Sequence, residues 1–173
     1  VQAAEIRFDG GVFWGVQYHP EIGLDEVARI HEQIRGVMAE TRFEGSLQDF
    51  FRFMQTDRRF EFRSEAELLA HYRAIEQTIE ARVPELFSLT PKAGFEIRPV
   101  EAFRAESAAG GSYQSPSEDG SRPGIFYVNT YDLPARPLFQ LPALTLHESA
   151  PGHSFQISLA AENVDLPPFR RQS

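Results

Sequence analysis

Cysteine is absent from this 173-residue chain, which excludes disulfides, zinc ribbons and cysteine nucleophiles within it. The redox compartment stays open, since a chain without cysteine suits any. No apolar run approaches the roughly 20 residues that span a bilayer. Val1-Gln2-Ala3 begins no basic segment followed by an apolar one, so neither a signal peptide nor a membrane partner is expected, and the cytoplasm is favoured. Positive charge is in deficit, with 17 basic residues against 25 acidic ones and a net charge of -8. Such a surface repels a phosphate backbone, which removes nucleic acid from the expected partners. What the chain does have is apolar material: 42% of its residues are hydrophobic, 12% are aromatic, and phenylalanine occurs 15 times. That suffices for one ordinary core. No repeat with a period of 20 to 50 residues is visible.

Alternation of Ile6 and Phe8, then of Val12, Trp14, Val16 and Tyr18, about Asp9-Gly10-Gly11 predicts a hairpin over 4–19. From Leu24 the period lengthens, and Val27, Ile30, Ile34, Val37 and Met38 lie on one face of a helix over 24–40. Ser46 is an N-cap candidate, with Asp49 favourable in the first turn ahead of Phe50, Phe51, Phe53 and Met54. Ser64 with Glu67 forms a capping-box pattern for a third helix through Leu68, Leu69, Tyr72, Ile75 and Ile79, ending near Val83-Pro84. Phe95 to Arg98 and Ile125 to Asn129 read as strands, and the Ser-, Gly- and Pro-rich stretch from Ala105 to Gly124 as a loop. Helix returns over about 138–150 and 152–163. The expected fold class is mainly α with a few short β-strands, preceded by a β-hairpin.

Within the last helical region lies His147-Glu148-Ser149-Ala150-Pro151-Gly152-His153. Imidazole is a common metal ligand, and a glutamate beside the first ligand can take a proton from a water that attacks a carbonyl. Histidines four apart on one helix share a side, being about 400° apart in rotation. His147 and His153 are six apart, about 120° out of register on an unbroken helix, so sharing an ion requires a break. Pro151-Gly152 supplies one, since proline lacks the donor N–H and glycine admits unusual backbone angles. Spacing alone favours the plainer alternative, a core histidine followed by a helix-end histidine.

The run Leu146 to Gln156, LHESAPGHSFQ, resembles the His-Glu-x-x-Pro-Gly-His-x-x-Gln signature of the bacterial domain-of-unknown-function family 885. Gly23 to Ile30 (GLDEVARI), Phe50 to Phe60 (FFRFMQTDRRF), Asp119 to Asp132 (DGSRPGIFYVNTYD) and Leu166 to Arg171 (LPPFRR) resemble further family segments in the family's order. Together they extend over about 150 of the 173 residues. The resemblance implies an internal fragment of a larger, helix-rich, gluzincin-like fold regarded as zinc metallopeptidase-like. His147 and His153 would then be metal ligands and Glu148 the general base. The strand carrying Tyr127, Asn129 and Tyr131 would lie near the cleft, where an edge strand could pair with an extended peptide, or it could be a core strand with Phe126 and Val128 buried. Gln156 would be a substrate contact, a group supporting the ligands, or a solvent-facing side chain. A catalytic zinc usually takes three protein ligands. The resemblance puts the third, a glutamate, beyond Arg171, because Glu162 and Asp165 follow His153 too closely to lie on a separate returning helix. Weak or absent zinc binding by this chain alone is therefore expected, together with self-association through uncovered apolar faces.

Gly10 to Glu21 (GGVFWGVQYHPE) resembles the last strands and His-Pro-Glu of class I glutamine amidotransferases. There the histidine activates a cysteine and the glutamate orients it. With no cysteine present, His19 and Glu21 would be the remnant of a triad, or simply a histidine and a carboxylate at a strand end. Residues 1–22 and 23–173 are thus expected to have separate origins. Three functional readings follow. The first is part of a zinc-dependent hydrolase acting on a peptide or small amide, the second an amidotransferase remnant, and the third a non-catalytic helical module that kept the motif.

Overall fold

The computed structural model describes residues 2–8, 11–17, 23–117 and 121–171, and the chain divides into two compact units, Val1–Thr56 and Asp57–Ser173. The first unit opens with the expected hairpin. Strands β1 (Gln2–Phe8) and β2 (Gly11–Gln17) pair antiparallel from Gln2 opposite Gln17 to Phe8 opposite Gly11. Helix α1 (Leu24–Glu40) ends where Arg42 turns left-handed at φ 53°. The Phe43 and Arg42 amides then reach back to the carbonyls of Met38 and Ala39 at 2.8 and 3.1 Å, which satisfies two otherwise orphaned acceptors. Phe43 lands against Phe50 and Phe53 of α2 (Leu47–Thr56), 5.1 Å from each ring. Ser46 and Asp49 cap that helix reciprocally, each side chain accepting from the other's amide at 3.1 and 3.0 Å.

In the second unit, Ser64 caps helix α3 (Glu65–Leu86), its hydroxyl accepting from the Glu67 amide at 3.2 Å. The Glu67 carboxylate reaches one residue further back than a capping box requires, to the Arg63 amide at 2.8 Å. The helix runs past Val83-Pro84 to Leu86. A proline this close to the end forfeits one backbone bond and leaves the turn intact, since the Phe87 amide still bonds the Val83 carbonyl at 2.9 Å.

Three strands form one sheet in the order β3-β5-β4. Strand β3 (Phe95–Pro99) lies parallel to β5 (Gly124–Val128), and β4 (Gly111–Gln114) is antiparallel to it. The stretch from Ala105 to Gly124, expected as a loop, therefore contains both a 3-10 turn at Ala105–Ser107 and a strand. Only Tyr113 among its four strand residues is apolar, so no alternation announces β4. Gly111 packs closely there, since a Cβ would stand 3.0 Å from the Phe126 ring and 3.1 Å from the Leu144 side chain, which would have to shift by a few tenths of an ångström.

Phe62, Leu68, Leu69 and Tyr72 bury against Ile97, Phe126 and Val128 of the sheet and Leu141 of α4 (Leu141–Glu148). A smaller cluster joins Val83 to Ala150 and to Phe155 of α5 (His153–Glu162), and α6 (Pro168–Arg171) follows. The fold is mainly α with a few short strands.

Candidate functional site

Helix α4 buries Leu141, Thr145 and Glu148, spaced four and three apart on one inward face. His147 falls on the exposed side and Glu148 inward, only 7% exposed. The helix stops at Ser149, whose ψ of -128° leaves helical geometry, and α5 begins at His153 after Gly152. The expected break at Pro151-Gly152 is thus present. Gly152 is packed so closely under the end of α4 that a Cβ would strike the carbonyl oxygens of Leu146 and His147. The break turns His153 back toward His147, and their rings stand edge to face, 4.7 Å between centroids at 81°.

Three buried hydroxyls stitch this turn together. Thr145 donates to the Leu141 carbonyl at 2.7 Å, Ser149 to the Thr145 carbonyl at 2.6 Å, and Ser154 to the Ser149 carbonyl at 2.9 Å. The Thr145 carbonyl accepts the Ser149 amide as well, at 2.8 Å, so the Ser149 hydroxyl reinforces the last backbone bond of α4. Beyond Glu148, on α3, stands Tyr72. Burial pushes its phenol up to about 12, opposed by the Arg136 guanidinium and reinforced by the nearby Glu148 carboxylate. No hydrogen bond from another described residue holds the Glu148 carboxylate.

These donors fit a metal centre in part. Two imidazoles at this separation can converge on one ion with nitrogens about 2.0–2.1 Å from it, and a buried carboxylate beside them favours positive charge. Among the described residues, however, no three or more His, Cys, Asp or Glu side chains gather closely enough to hold a metal. Glu162 serves elsewhere, accepting from the Lys92 and Ala93 amides at 2.7 and 3.4 Å.

Among the remaining expected residues, Tyr127 lies on β5 with Asn129 and Tyr131 just after it, and Gln156 lies three residues after His153 on α5. Strand β5 is the middle strand, flanked by β3 and β4, so it offers no free edge and the expected pairing with a peptide there gives way. Asn129 is buried, and its amide donates to the Ala105 and Ala108 carbonyls at 2.7 and 2.9 Å. Its side-chain oxygen accepts from the Tyr131 amide. Tyr127 lies under Arg104, 4.8 Å from guanidinium carbon to ring centre, and the Tyr131 side chain is exposed. Gln156 is exposed on α5. His19 and Glu21 lie outside the described residues. The sequence reading passed over Ser149 and Ser154 as variable positions in the signature, left Thr145 just outside it, and took Tyr72 as core alone. The signal available was a small hydroxyl residue directly following each of Glu148 and His153.

Over 45 residues the chain is 40% identical to a Pseudomonas sp. protein named gamma-glutamyl-L-1-hydroxyisopropylamide hydrolase, a match covering 25% of this chain and 15% of that one. A crystal structure described as that of a lipoprotein from Colwellia psychrerythraea superposes with a TM-score of 0.78 at 34% identity, covering 87% of this chain and 27% of that one. The chain thus spans well under a third of either relative's length. Residues 13–173 match the family described as bacterial protein of unknown function (DUF885), and the chain belongs to that family.

Proposed function

We propose that the second unit carries part of the active site of a zinc-dependent hydrolase that cleaves a peptide or small amide. The observation that carries this reading is the His147–His153 ring pair, 4.7 Å apart across a helix break. His147 and His153 would hold the zinc, with a third ligand from outside the described residues. Zinc, when bound, polarises a carbonyl and activates water. Glu148, next to His147 and turned inward, would accept the proton released by the attacking water and pass it to the leaving amine. Tyr72 would keep its proton at neutral pH near that carboxylate. The likeness of 45 residues to a protein named as an amide hydrolase supports the same reaction class.

The test is zinc binding by the purified chain in equilibrium titration, compared with a His147→Ala, His153→Ala double variant. Weak binding by the wild type, as two of three ligands allow, and none by the variant is expected, because removing both imidazoles removes both donors this site supplies. Equal, negligible zinc in both proteins would sink the reading.

A further inference from the structure

We infer that Ser154 is a positioning residue: its hydroxyl, bonded to the Ser149 carbonyl, sets the His147–His153 ring pair before any metal arrives. The inference rests on the proposed metal site for its purpose and on hydrogen-bond geometry for its content. Four residues, Ser149 to Gly152, separate Glu148 from His153, and a linker of that length has many ways to turn. Ser154 ties the start of this linker to the first turn of α5. Both its amide and its hydroxyl reach the Ser149 carbonyl, at 3.3 and 2.9 Å, closing the linker into a ring whose ends adjoin the two site helices. The hydroxyl bond is the shorter and completes the pair.

The anchor on the other side is rigid. Ser149 is tied to the Thr145 carbonyl twice, by its amide at 2.8 Å and its hydroxyl at 2.6 Å. Thr145 is tied in turn to Leu141 at 2.7 Å. Thr145 and Ser149 are fully buried and Ser154 is 4% exposed, so water does not compete for these bonds and a lost donor is not replaced. Contact between two imidazole rings is too weak by itself to fix a single arrangement in a mobile linker. One turn further along α5, Ser158 is equally buried and its hydroxyl lies beside that of Tyr113, not beside the Ser149 carbonyl. It therefore provides a matched control, a buried serine on the same helix whose loss leaves the bonds to the Ser149 carbonyl intact.

The experiment uses the metal-free 173-residue chain and reads the nuclear Overhauser contact between the His147 and His153 ring protons by NMR. Ser154→Ala should keep its helical circular dichroism and lose the inter-ring contact, Ser158→Ala should keep both, and Ser154→Thr, which retains the donor, should restore the contact. Zinc affinity should fall about tenfold in Ser154→Ala, the usual scale for groups that orient ligands. A folded Ser154→Ala protein with the wild-type inter-ring contact overturns the inference, as does a wild type without that contact. If Ser154→Ala fails to fold, Ser154→Cys, close in size with a much weaker donor, takes its place with the same outcomes. Should the wild type take up no zinc, the functional proposal fails while the ring contact still decides this inference.

Discussion

Gly152→Ala tests the turn where it is tightest. The added methyl group would strike the Leu146 and His147 carbonyl oxygens, which belong to backbone in the last turn of α4 rather than to side chains that can rotate away. Overpacking relieved by side-chain movement costs about 1–3 kcal/mol. Relief here means prising α5 from α4, so the upper end, about 3 kcal/mol, is expected before the roughly 0.4–1 kcal/mol that an alanine regains by restricting the unfolded chain. The net loss should be about 2 kcal/mol, or a fall in Tm of about 4–8 °C for a chain of this size. Urea unfolding followed by circular dichroism supplies the number. Gly94→Ala is the paired control, since nothing lies within 4 Å of its added Cβ, and its stability should be unchanged or higher by up to about 1 kcal/mol. A Gly152→Ala protein within about 0.5 kcal/mol of wild type, in the usual range of inert surface changes, would refute the argument that backbone contact fixes this turn.

Phe126 is fully buried and meets Tyr72 edge-on at 5.4 Å, so Phe126→Ala should cost about 3–5 kcal/mol in the same urea assay. Glu76 on α3 is raised from 4.5 to about 7, first by burial and then by Glu80, with Arg73 opposing. The folded state holds this proton more tightly than the unfolded one, so the stability it contributes is complete below about pH 4.5 and is lost as pH rises through 7. Glu76→Gln should therefore match wild type near pH 4 and exceed it at pH 8 by about 1 kcal/mol, a figure already reduced for partial solvent screening. Thermal unfolding across that pH range checks the crossover.

The elements that followed a period or a cap were legible in the sequence. Val27 to Met38 repeat at helical spacing and α1 occupies Leu24–Glu40, while Ser64 marks the start of α3 because its hydroxyl has one local task. What escaped depends on partners distant in sequence. Strand β4 carries little apolar signal and is ordered by its ladder with β5, and β5 became central only because β3 and β4 both chose it. The histidines could be named from the motif and the need for a break from their spacing. Whether they would meet depends on how Ser149 and Ser154 direct their hydroxyls, which no periodicity encodes. Tyr72 fits the apolar face of α3 as well as any core tyrosine, and its nearness to Glu148 exists only after α3 and α4 pack.

Three local departures from stable design coincide between Leu141 and Ser154. Glu148 places a polar carboxyl side chain on an inward helix face, 7% exposed, where an apolar side chain is usual. Gly152 is held where no larger residue fits. Two serines and a threonine, each replaceable by a better-packing apolar side chain, direct their hydroxyls to main-chain carbonyls. Stability alone explains none of these, since a leucine at 148 would bury more favourably and a regular helix through 149–152 would satisfy the same carbonyls. Such conflicts between local and global preference concentrate at functional sites. All three act on the same quantity, the placement of His147, Glu148 and His153 relative to one another. A merely inherited motif in a non-catalytic module would have no reason to hold that placement with buried bonds, so this concentration favours the hydrolase reading.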